Sequence, residues 1–253
     1  MSRPGKIVNF ERNNEQQLRI DLAAALRLAA RADWHEGVAN HFSAAVSDDG
    51  KQFLINPRWR HFSLVKASEL LLMDADDKEA MKRPDAPDPS AWSIHSAIHR
   101  NLPHARVALH LHPPYATTLA CLKDPSIKPI EQVTARFFNR LAIDNSFGGI
   151  ATDENEGNRI ATTIGNHSAV MMGNHGVSTF AETVAEAFDA MYHLERAART
   201  MVLAYSTGQP LNIMSDELAE ETANEWQTYK DAEFSHFAEM KKILDKEDPS
   251  YCE

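Results

Sequence analysis

The sequence predicts one α/β domain: a mixed, largely antiparallel sheet of about seven to nine strands with helices on its faces, followed by a C-terminal helical extension. Three observations predict this class. Segments with strand patterning and segments with helical patterning follow each other without the strict alternation of a parallel sheet. The turn Asp-Asp-Gly at 48–50 joins two strand-like runs as a hairpin. Residues 211–253 are charged and have a helical pattern.

The element positions follow from the hydrophobic pattern. Strands are predicted at 42–46, 53–55, 71–73, 106–112, 143–150, 169–172 and 177–180. Helices are predicted at 15–31, 90–101, 115–122, 154–165, 182–206 and 215–246. We therefore expect a flexible leader at 1–14, the main domain at 15–210 and a helical extension at 211–253 that packs on a partner subunit or lies across the surface.

Composition and charge exclude several classes of protein. The 253 residues include 26 Lys and Arg against 36 Asp and Glu, a net charge of −10, which argues against nonspecific nucleic-acid binding and a basic membrane-surface role. The sequence has no apolar run long enough to span a membrane and no secretory signal pattern. Two cysteines, Cys121 and Cys252, are typical of a reduced, cytoplasmic protein.

A strand with two histidines is the centre of the functional prediction. The run VALHLH at 107–112 reads as a strand that ends at two prolines. Because side chains alternate along a strand, His110 and His112 share one face, about 7 Å apart. Such imidazoles can hold one metal ion, each with one nitrogen at about 2.0–2.1 Å. A second strand ends in Gly-Asn-His-Gly and could bring His175 to the same point, although histidines in such patterns are also core residues or pH switches.

Five short motifs, in this order and spacing, carry a resemblance to a known family. They are GVANHFS at 37–43, PSAWSIH at 89–95, HLHPPY at 110–115, NHG at 174–176 and YHLE at 192–195. Over residues 16–208 the chain resembles the class II aldolase/adducin family. That family comprises metal-dependent aldolases and epimerases of small sugar phosphates, related decarboxylases and the head domain of adducin.

The resemblance implies a fold, a cofactor and an assembly. It implies a three-layer α/β/α sandwich, a divalent metal on His110, His112 and His175, and a cytosolic homotetramer with its sites between subunits. Three imidazoles favour zinc, with manganese and iron as alternatives. Three protein ligands with an open position are typical of a catalytic metal site, so the expected partner is a small-molecule substrate.

One departure from the family changes the expected chemistry. The family's metal-binding, proton-shuttling Glu corresponds to Ala91, which can neither bind metal nor move a proton. Aldol cleavage needs such a base, whereas decarboxylation of a metal-chelating acid needs an electron sink and a later proton donor. Tyr115, His95 and His41 are the candidate donors. His95 lies one helical turn after Ala91, although it could simply pack against the sheet.

The substrate-binding residues of the family are only partly present. Asn40 and Ser90 remain, but the family's Ser-Gly pair after Pro becomes Arg-Trp, which makes a phosphosugar substrate less suitable. Arg58 and Arg136 could instead hold a planar carboxylate, because guanidinium groups bind carboxylates through two hydrogen bonds. Their alternative role is surface solubility.

Two functions follow from these residues. The first is a metal-dependent carbon–carbon lyase, of decarboxylase or aldolase type, acting on a small hydroxy- or keto-acid or a carbohydrate-derived substrate. It predicts a tightly bound divalent ion that is lost with activity in His110→Ala. The alternative is an adducin-like, non-catalytic interaction module with a residual metal pocket, whose partner binding a chelator would not change.

Overall fold

A seven-stranded sheet lies at the centre of the computed structural model, which describes residues 15–149, 154–229 and 231–253. The strands are β1 (His41–Ala45), β2 (Gln52–Ile55), β3 (Leu71–Asp74), β4 (Val107–Leu111), β5 (Leu141–Asp144), β6 (Ala169–Met172) and β7 (Gly176–Ala181). Their order is β3-β2-β1-β4-β7-β6-β5. Only β5 and β6 pair in parallel among the described strands, which confirms the predicted mixed, largely antiparallel sheet. The predicted leader, 1–14, lies outside the described residues.

Helices cover both faces of this sheet. They are α1 (Glu15–Arg31), α2 (Pro89–Asn101), α3 (Pro114–Ala120), α4 (Gln132–Ala135), α5 (Glu154–Ile164), α6 (Val184–Ser206), α7 (Asp216–Thr228) and α8 (Ala232–Glu247). A large apolar cluster joins one face of the sheet to α1, α3, α6 and α8, and a smaller cluster joins the other face to α2 and α5. This arrangement is the expected three-layer α/β/α sandwich.

The two faces of the central strands differ in polarity. In β4, Leu109 and Leu111 belong to the larger apolar cluster, whereas Ala108 belongs to the smaller one. Since successive side chains alternate, His110 lies on the same side as Ala108, facing α2. The Cα partner of His110 in β1 is His41, which therefore shares that side. The α2 side of the sheet centre thus carries imidazoles, and the opposite side carries the main apolar core.

Two predicted elements are wrong in extent. The helix predicted at 215–246 is two helices, because Asp231 has a φ of 69°, a left-handed conformation that cannot continue an α-helix. The strand predicted at 143–150 corresponds to β5, which lies at Leu141–Asp144, so it begins earlier and ends earlier than predicted. There the Asp144 carboxylate accepts a hydrogen bond from the Ser146 amide at 2.9 Å, and the chain turns. Helix α4 was not predicted because a single turn shows no periodicity.

The C-terminal helices pack on the domain. Phe237, Leu244 and Tyr251 are buried in the larger apolar cluster, and Arg27 of α1 pairs with Asp248 at 2.9 Å. The charged C-terminal segment therefore covers α1 and α6 with a few large apolar side chains. No described helix combines the length and the apolar character that a membrane span requires.

Candidate metal centre

Three histidines meet at one end of the central strands. His110 is the fourth residue of β4, His112 follows the end of that strand, and His175 lies in the tight turn between β6 and β7. One ligand nitrogen from each ring lies within 4.8 Å of the other two. The ring centroid of His175 is 4.8 Å from that of His110 and 4.9 Å from that of His112. The structure therefore brings the three predicted metal ligands together.

A glycine allows this close approach. A Cβ atom on Gly176 would lie 2.3 Å from Cδ2 of His112 and 2.6 Å from the Leu111 carbonyl oxygen, far inside contact distance. Only glycine therefore lets the β6–β7 hairpin approach the end of β4. Asn174, with a φ of 56°, supplies the left-handed residue that turns the hairpin and carries His175 to the site.

In the rings of His110 and His112, the hydrogen-bond partners of Nδ1 indicate which nitrogen carries the proton. Nδ1 of His110 lies 3.1 Å from the Val177 carbonyl oxygen, which can only accept, and 3.2 Å from the Ser178 hydroxyl, which can accept or donate. We assign the proton to Nδ1, because only a donor there satisfies both partners. Nδ1 of His112 donates to the Glu36 carboxylate at 2.7 Å. In the neutral rings both Nε2 atoms therefore present lone pairs, and these atoms are 3.2 Å apart.

This pair of nitrogens fits a shared cation. Two imidazole nitrogens bound to one tetrahedral zinc, each at about 2.0–2.1 Å, are separated by about 3.3 Å. Two lone pairs facing each other at 3.2 Å without a proton between them repel, and a cation between them removes that repulsion. Histidine ligands characteristically donate their other nitrogen to a carbonyl or a carboxylate, as His110 and His112 do here.

Burial keeps the rings available as ligands. Burial, followed by the neighbouring imidazoles His41 and His175, holds the pKa of His110 well below its usual range. Burial, followed by His112, lowers the pKa of His175 to about 4. Both rings are therefore neutral near pH 7, the form in which an imidazole binds metal.

Two of the predicted donors, His41 and His95, form a buried pair beside His110, His112 and His175, which we call the triad. The His41 ring centroid lies 4.7 Å from that of His110, and Nδ1 of His41 lies 2.8 Å from Nε2 of His95. His95, on α2, also contacts the Ser43 hydroxyl through Nδ1. His41 is thus the predicted donor that adjoins a triad ring, and His95 stands behind it.

The third predicted donor, Tyr115, is the second residue of α3, the helix that follows β4 and His112. Its backbone amide and that of Ala116 donate to the two carboxylate oxygens of Glu195, at 3.0 and 2.8 Å. The Arg199 guanidinium lies 5.5 Å from the centre of the Tyr115 ring. Burial raises the pKa of Glu195 against the opposing effect of these hydrogen bonds and of Arg199. The buried carboxylate anchors the segment after His112 to α6.

Three predicted substrate-binding residues lie near the triad or near His41. The Asn40 side-chain oxygen accepts from the Glu36 amide at 2.6 Å, so Asn40 braces the loop that holds His112. Ser90 donates to one oxygen of Asp88 at 2.7 Å, and Arg58 pairs with the other at 3.3 Å. Asp88 caps the start of α2, the helix that carries His95, the partner of His41.

The fourth, Arg136, lies at the other end of the sheet. It lines a cavity with His104 and Ser168, which precede β4 and β6, whereas the triad lies where these two strands end. A strand of five residues separates these ends by roughly 16 Å. Arg136 instead pairs with the buried Asp189 at 2.8 Å, so the structure does not bring it to the triad of its own chain.

Sequence reasoning missed several residues of this site. Glu36, Ser43 and His99 were not predicted, although each contacts a predicted residue or its partner. The position of His99, one turn after His95 on the same helix, was the one available signal. Nothing in the sequence connects Glu36 with His112, because their contact spans 76 residues and depends on how two loops meet.

The fold and the site define an α/β protein with three converging histidines at one end of a mixed sheet. The chain belongs to the family described as class II aldolase and adducin N-terminal domain, whose family model matches residues 20–202.

Individual relatives agree with this assignment. A putative aldolase class 2 protein of Caulobacter vibrioides is 32% identical over 221 residues, which cover 87% of this chain and 84% of that protein. Decarboxylase NovR of Streptomyces niveus is 27% identical over 195 residues, covering 77% and 72% of the two chains. The crystal structure of an aldolase II superfamily protein from Pseudomonas syringae has a TM-score of 0.85 and 28% identity, covering 94% and 96%.

Proposed function

We propose that this protein is a metal-dependent carbon–carbon lyase that decarboxylates a small hydroxy- or keto-acid. The observation that carries the proposal is the convergence of His110, His112 and His175, with one ring nitrogen of each within 4.8 Å of the other two. Similarity to a protein named as a decarboxylase and to one named as a class 2 aldolase supports the lyase class.

His110, His112 and His175 would hold a divalent ion, for which zinc is proposed and manganese or iron are the alternatives. Such an ion supplies a Lewis acid that polarises a substrate oxygen and takes up negative charge when a carbon–carbon bond breaks. Three protein ligands leave a coordination position for the substrate.

Ala91 favours decarboxylation over aldol cleavage. Its side chain is buried in an apolar cluster that includes Phe53, Ile55 and Met73, so this position supplies no carboxylate. Aldol cleavage requires a base that removes a hydroxyl proton. Decarboxylation instead releases carbon dioxide and leaves an electron pair on the remaining fragment, which then takes up one proton.

We assign His41 as the donor group that faces the substrate. His95 occupies Nδ1 of His41, so Nε2 is the nitrogen left for a molecule bound at the triad. His95 holds this ring in place, and Tyr115, at the start of α3, is the second candidate to supply the proton. Asn40, Ser90 and Arg58 are proposed to bind the substrate, with the Arg58 guanidinium for its carboxylate.

Carbon dioxide release from a panel of small hydroxy- and keto-acids tests the proposal. Metal-loaded protein is expected to turn over at least one acid, to lose activity with a chelator and to regain it with zinc, manganese or iron. His110→Ala should abolish turnover, and His193→Ala, which changes a histidine outside the triad, should retain it. Aldol cleavage of a sugar phosphate without carbon dioxide release would contradict the proposed reaction. Chelator-independent partner binding without turnover would favour the adducin-like module.

We also propose a cytoplasmic homotetramer whose sites lie between subunits. The Phe147 ring lies 6.2 Å from that of His175, and half of this side chain is exposed. An exposed aromatic ring beside a metal centre is a surface that a neighbouring subunit would cover. Light scattering should give a mass four times that of the chain, and Phe147→Asp should lower it.

A further inference from the structure

A continuous line of hydrogen bonds runs from His41 into the space between β1 and α2. Nδ1 of His41 lies 2.8 Å from Nε2 of His95, and Nδ1 of His95 contacts the Ser43 hydroxyl. The same hydroxyl oxygen lies 2.7 Å from Nε2 of His99. All four side chains are buried. We refer to these four residues as the imidazole chain.

The two inner rings of the imidazole chain, those of His95 and His99, each carry a single proton. Burial, followed by the neighbouring His99, lowers the pKa of His95 to about 3. Burial, followed by the positive charge of Arg106, lowers the pKa of His99 to about 3. A neutral imidazole has one N–H and one lone pair, so each ring donates on one side and accepts on the other. When the Ser43 proton is also used within the chain, two arrangements exist, and every hydrogen bond points in opposite directions in the two.

The buried end of the chain selects one of them. Nδ1 of His99 is enclosed and has no hydrogen-bond partner among the described residues. An enclosed N–H without an acceptor is less tolerated than an enclosed acceptor without a donor. The proton of His99 therefore lies on Nε2, and that nitrogen donates to the Ser43 oxygen.

The direction of the remaining bonds follows from this one. The Ser43 oxygen could also accept from His95, but its own proton would then lack an acceptor, because the described residues give this hydroxyl hydrogen-bond contacts with His95 and His99 alone. Its proton is therefore donated to Nδ1 of His95. His95 then carries its proton on Nε2 and donates it to Nδ1 of His41. His41 is left with its proton on Nε2, the nitrogen that is free for a bound molecule.

We infer that Ser43 is a positioning residue whose hydroxyl sets the direction of the imidazole chain, so that Nδ1 of His41 accepts from His95 and Nε2 of His41 is the donor nitrogen. The catalytic consequence rests on the proposed function. A neutral, fixed N–H beside the metal centre would stabilise the negative charge that develops on a substrate oxygen. The proton positions themselves depend only on the four residues of the chain.

Nitrogen NMR of the imidazole rings in the full, zinc-loaded chain tests this inference directly. Long-range proton–nitrogen correlations distinguish Nδ1–H from Nε2–H rings, and His41→Gln and His95→Gln assign the signals by their loss. We expect both rings to be Nε2–H in the natural sequence. Ser43→Ala should replace this single form with a mixture, and Ser43→Thr, which keeps the hydroxyl, should restore it.

Ser96→Ala is the matched control, because it removes another buried hydroxyl of the same region, one without a partner among the described residues. It should leave the ring signals unchanged. With an active substrate, Ser43→Ala should lower kcat by about tenfold with little change in KM or zinc content. A His41 ring with its proton on Nδ1, or ring signals that Ser43→Ala does not alter, would overturn the inference. If no acid is turned over, the proposed function fails, but the ring signals still decide the role of Ser43.

Discussion

Two of the histidine clusters in the molecule differ in where their negative charge lies. In the triad, nitrogens of His110, His112 and His175 converge on one point, and the Glu36 carboxylate lies behind His112. In the second group, which we call the Asp189 cluster, two histidines and an arginine surround one buried carboxylate. Its members are Asp189, Arg136, His193 and His236.

This contrast distinguishes the triad, a candidate cation site, from the Asp189 cluster, a group of internal ion pairs and hydrogen bonds. In the Asp189 cluster, the carboxylate of Asp189 balances the positive charge of Arg136 from within the cluster. In the triad the ring nitrogens converge and the carboxylate lies outside, behind His112, so the space between the rings suits the cation of the proposed function. The position of the acid, rather than the number of histidines, distinguishes the two groups.

The largest expected effect comes from removing one ligand of the triad. His110→Ala should weaken zinc binding by more than about a hundredfold, because loss of an outer partner alone costs about 10- to 100-fold. Zinc at about 100 times its Kd should stabilise the natural chain by about 2.7 kcal/mol, and this gain should vanish in the variant. Zinc titration and thermal unfolding with and without zinc measure both effects.

The control for this prediction is a histidine of the other group. His236→Ala removes a ring that hydrogen-bonds Asp189 at 2.8 Å, so it should lower the stability of the protein but leave zinc affinity unchanged. Equal loss of zinc affinity in both variants would remove the distinction between the two groups.

The second prediction concerns the carboxylate of the Asp189 cluster. Asp189→Asn leaves the partly buried Arg136 without its counter-charge and should lower the free energy of unfolding by about 2–3 kcal/mol. Urea unfolding at pH 7 measures this loss, and Asp85→Asn, which affects an exposed ion pair, is the control. Unchanged zinc affinity is expected in both.

The pH dependence of this cluster has a defined sign. Burial alone would raise the pKa of Asp189, but hydrogen bonds from His193 and His236 and the charge of Arg136 outweigh it and hold the pKa well below its usual range. The stabilisation is therefore complete above the unfolded pKa of about 3.9 and is lost as the pH falls below it. Asp189→Asn should remove this part of the acid sensitivity.

The convergence of the three histidines could be predicted from the sequence because local patterns determine it. Alternation along one strand places His110 beside His112, and glycine at 176 signals a close backbone approach, so the triad was accessible from the sequence. The alanine at position 91 could also be recognised from the sequence, because it stands where the family motif has a glutamate.

The parts that the sequence did not predict depend on contacts between distant segments. The Ser43–His99 hydrogen bond joins β1 to α2 across 56 residues, and the pairing of Arg136 with Asp189 joins α6 to the segment after α4. Such contacts are set by how helices pack on the sheet. The break at Asp231 was missed because the charged pattern continues through it.

The third prediction extends the comparison to the buried His99. Since its folded pKa is about 3 and its unfolded value about 6.5, the unfolded chain binds the proton more readily, and stability is lost as the pH falls from 6.5 towards 3. His99 should contribute about 2 kcal/mol of destabilisation between pH 7 and pH 5. His99→Phe, which can keep the stacking on Phe53, should reduce this difference in urea unfolding. His104→Gln, outside the imidazole chain, should not reduce it.

The smallest expected effect tests the acid that lies behind the triad. Glu36→Gln keeps the shape of the side chain but replaces the charged acceptor of the His112 Nδ1 proton with a neutral one. Because a carboxylate behind a ligand histidine fixes its proton and raises its basicity, zinc affinity should fall by about tenfold.

Competition with a zinc-binding dye measures this change, and Glu247→Gln, which weakens an exposed ion pair with Arg31, is the matched control. The effect should be smaller than that of losing His110, because the neutral amide oxygen can still accept the same hydrogen bond. An unchanged zinc affinity would mean that His112 keeps its proton on Nδ1 without the charge of Glu36. The position of the acid would then not explain the difference between the triad and the Asp189 cluster.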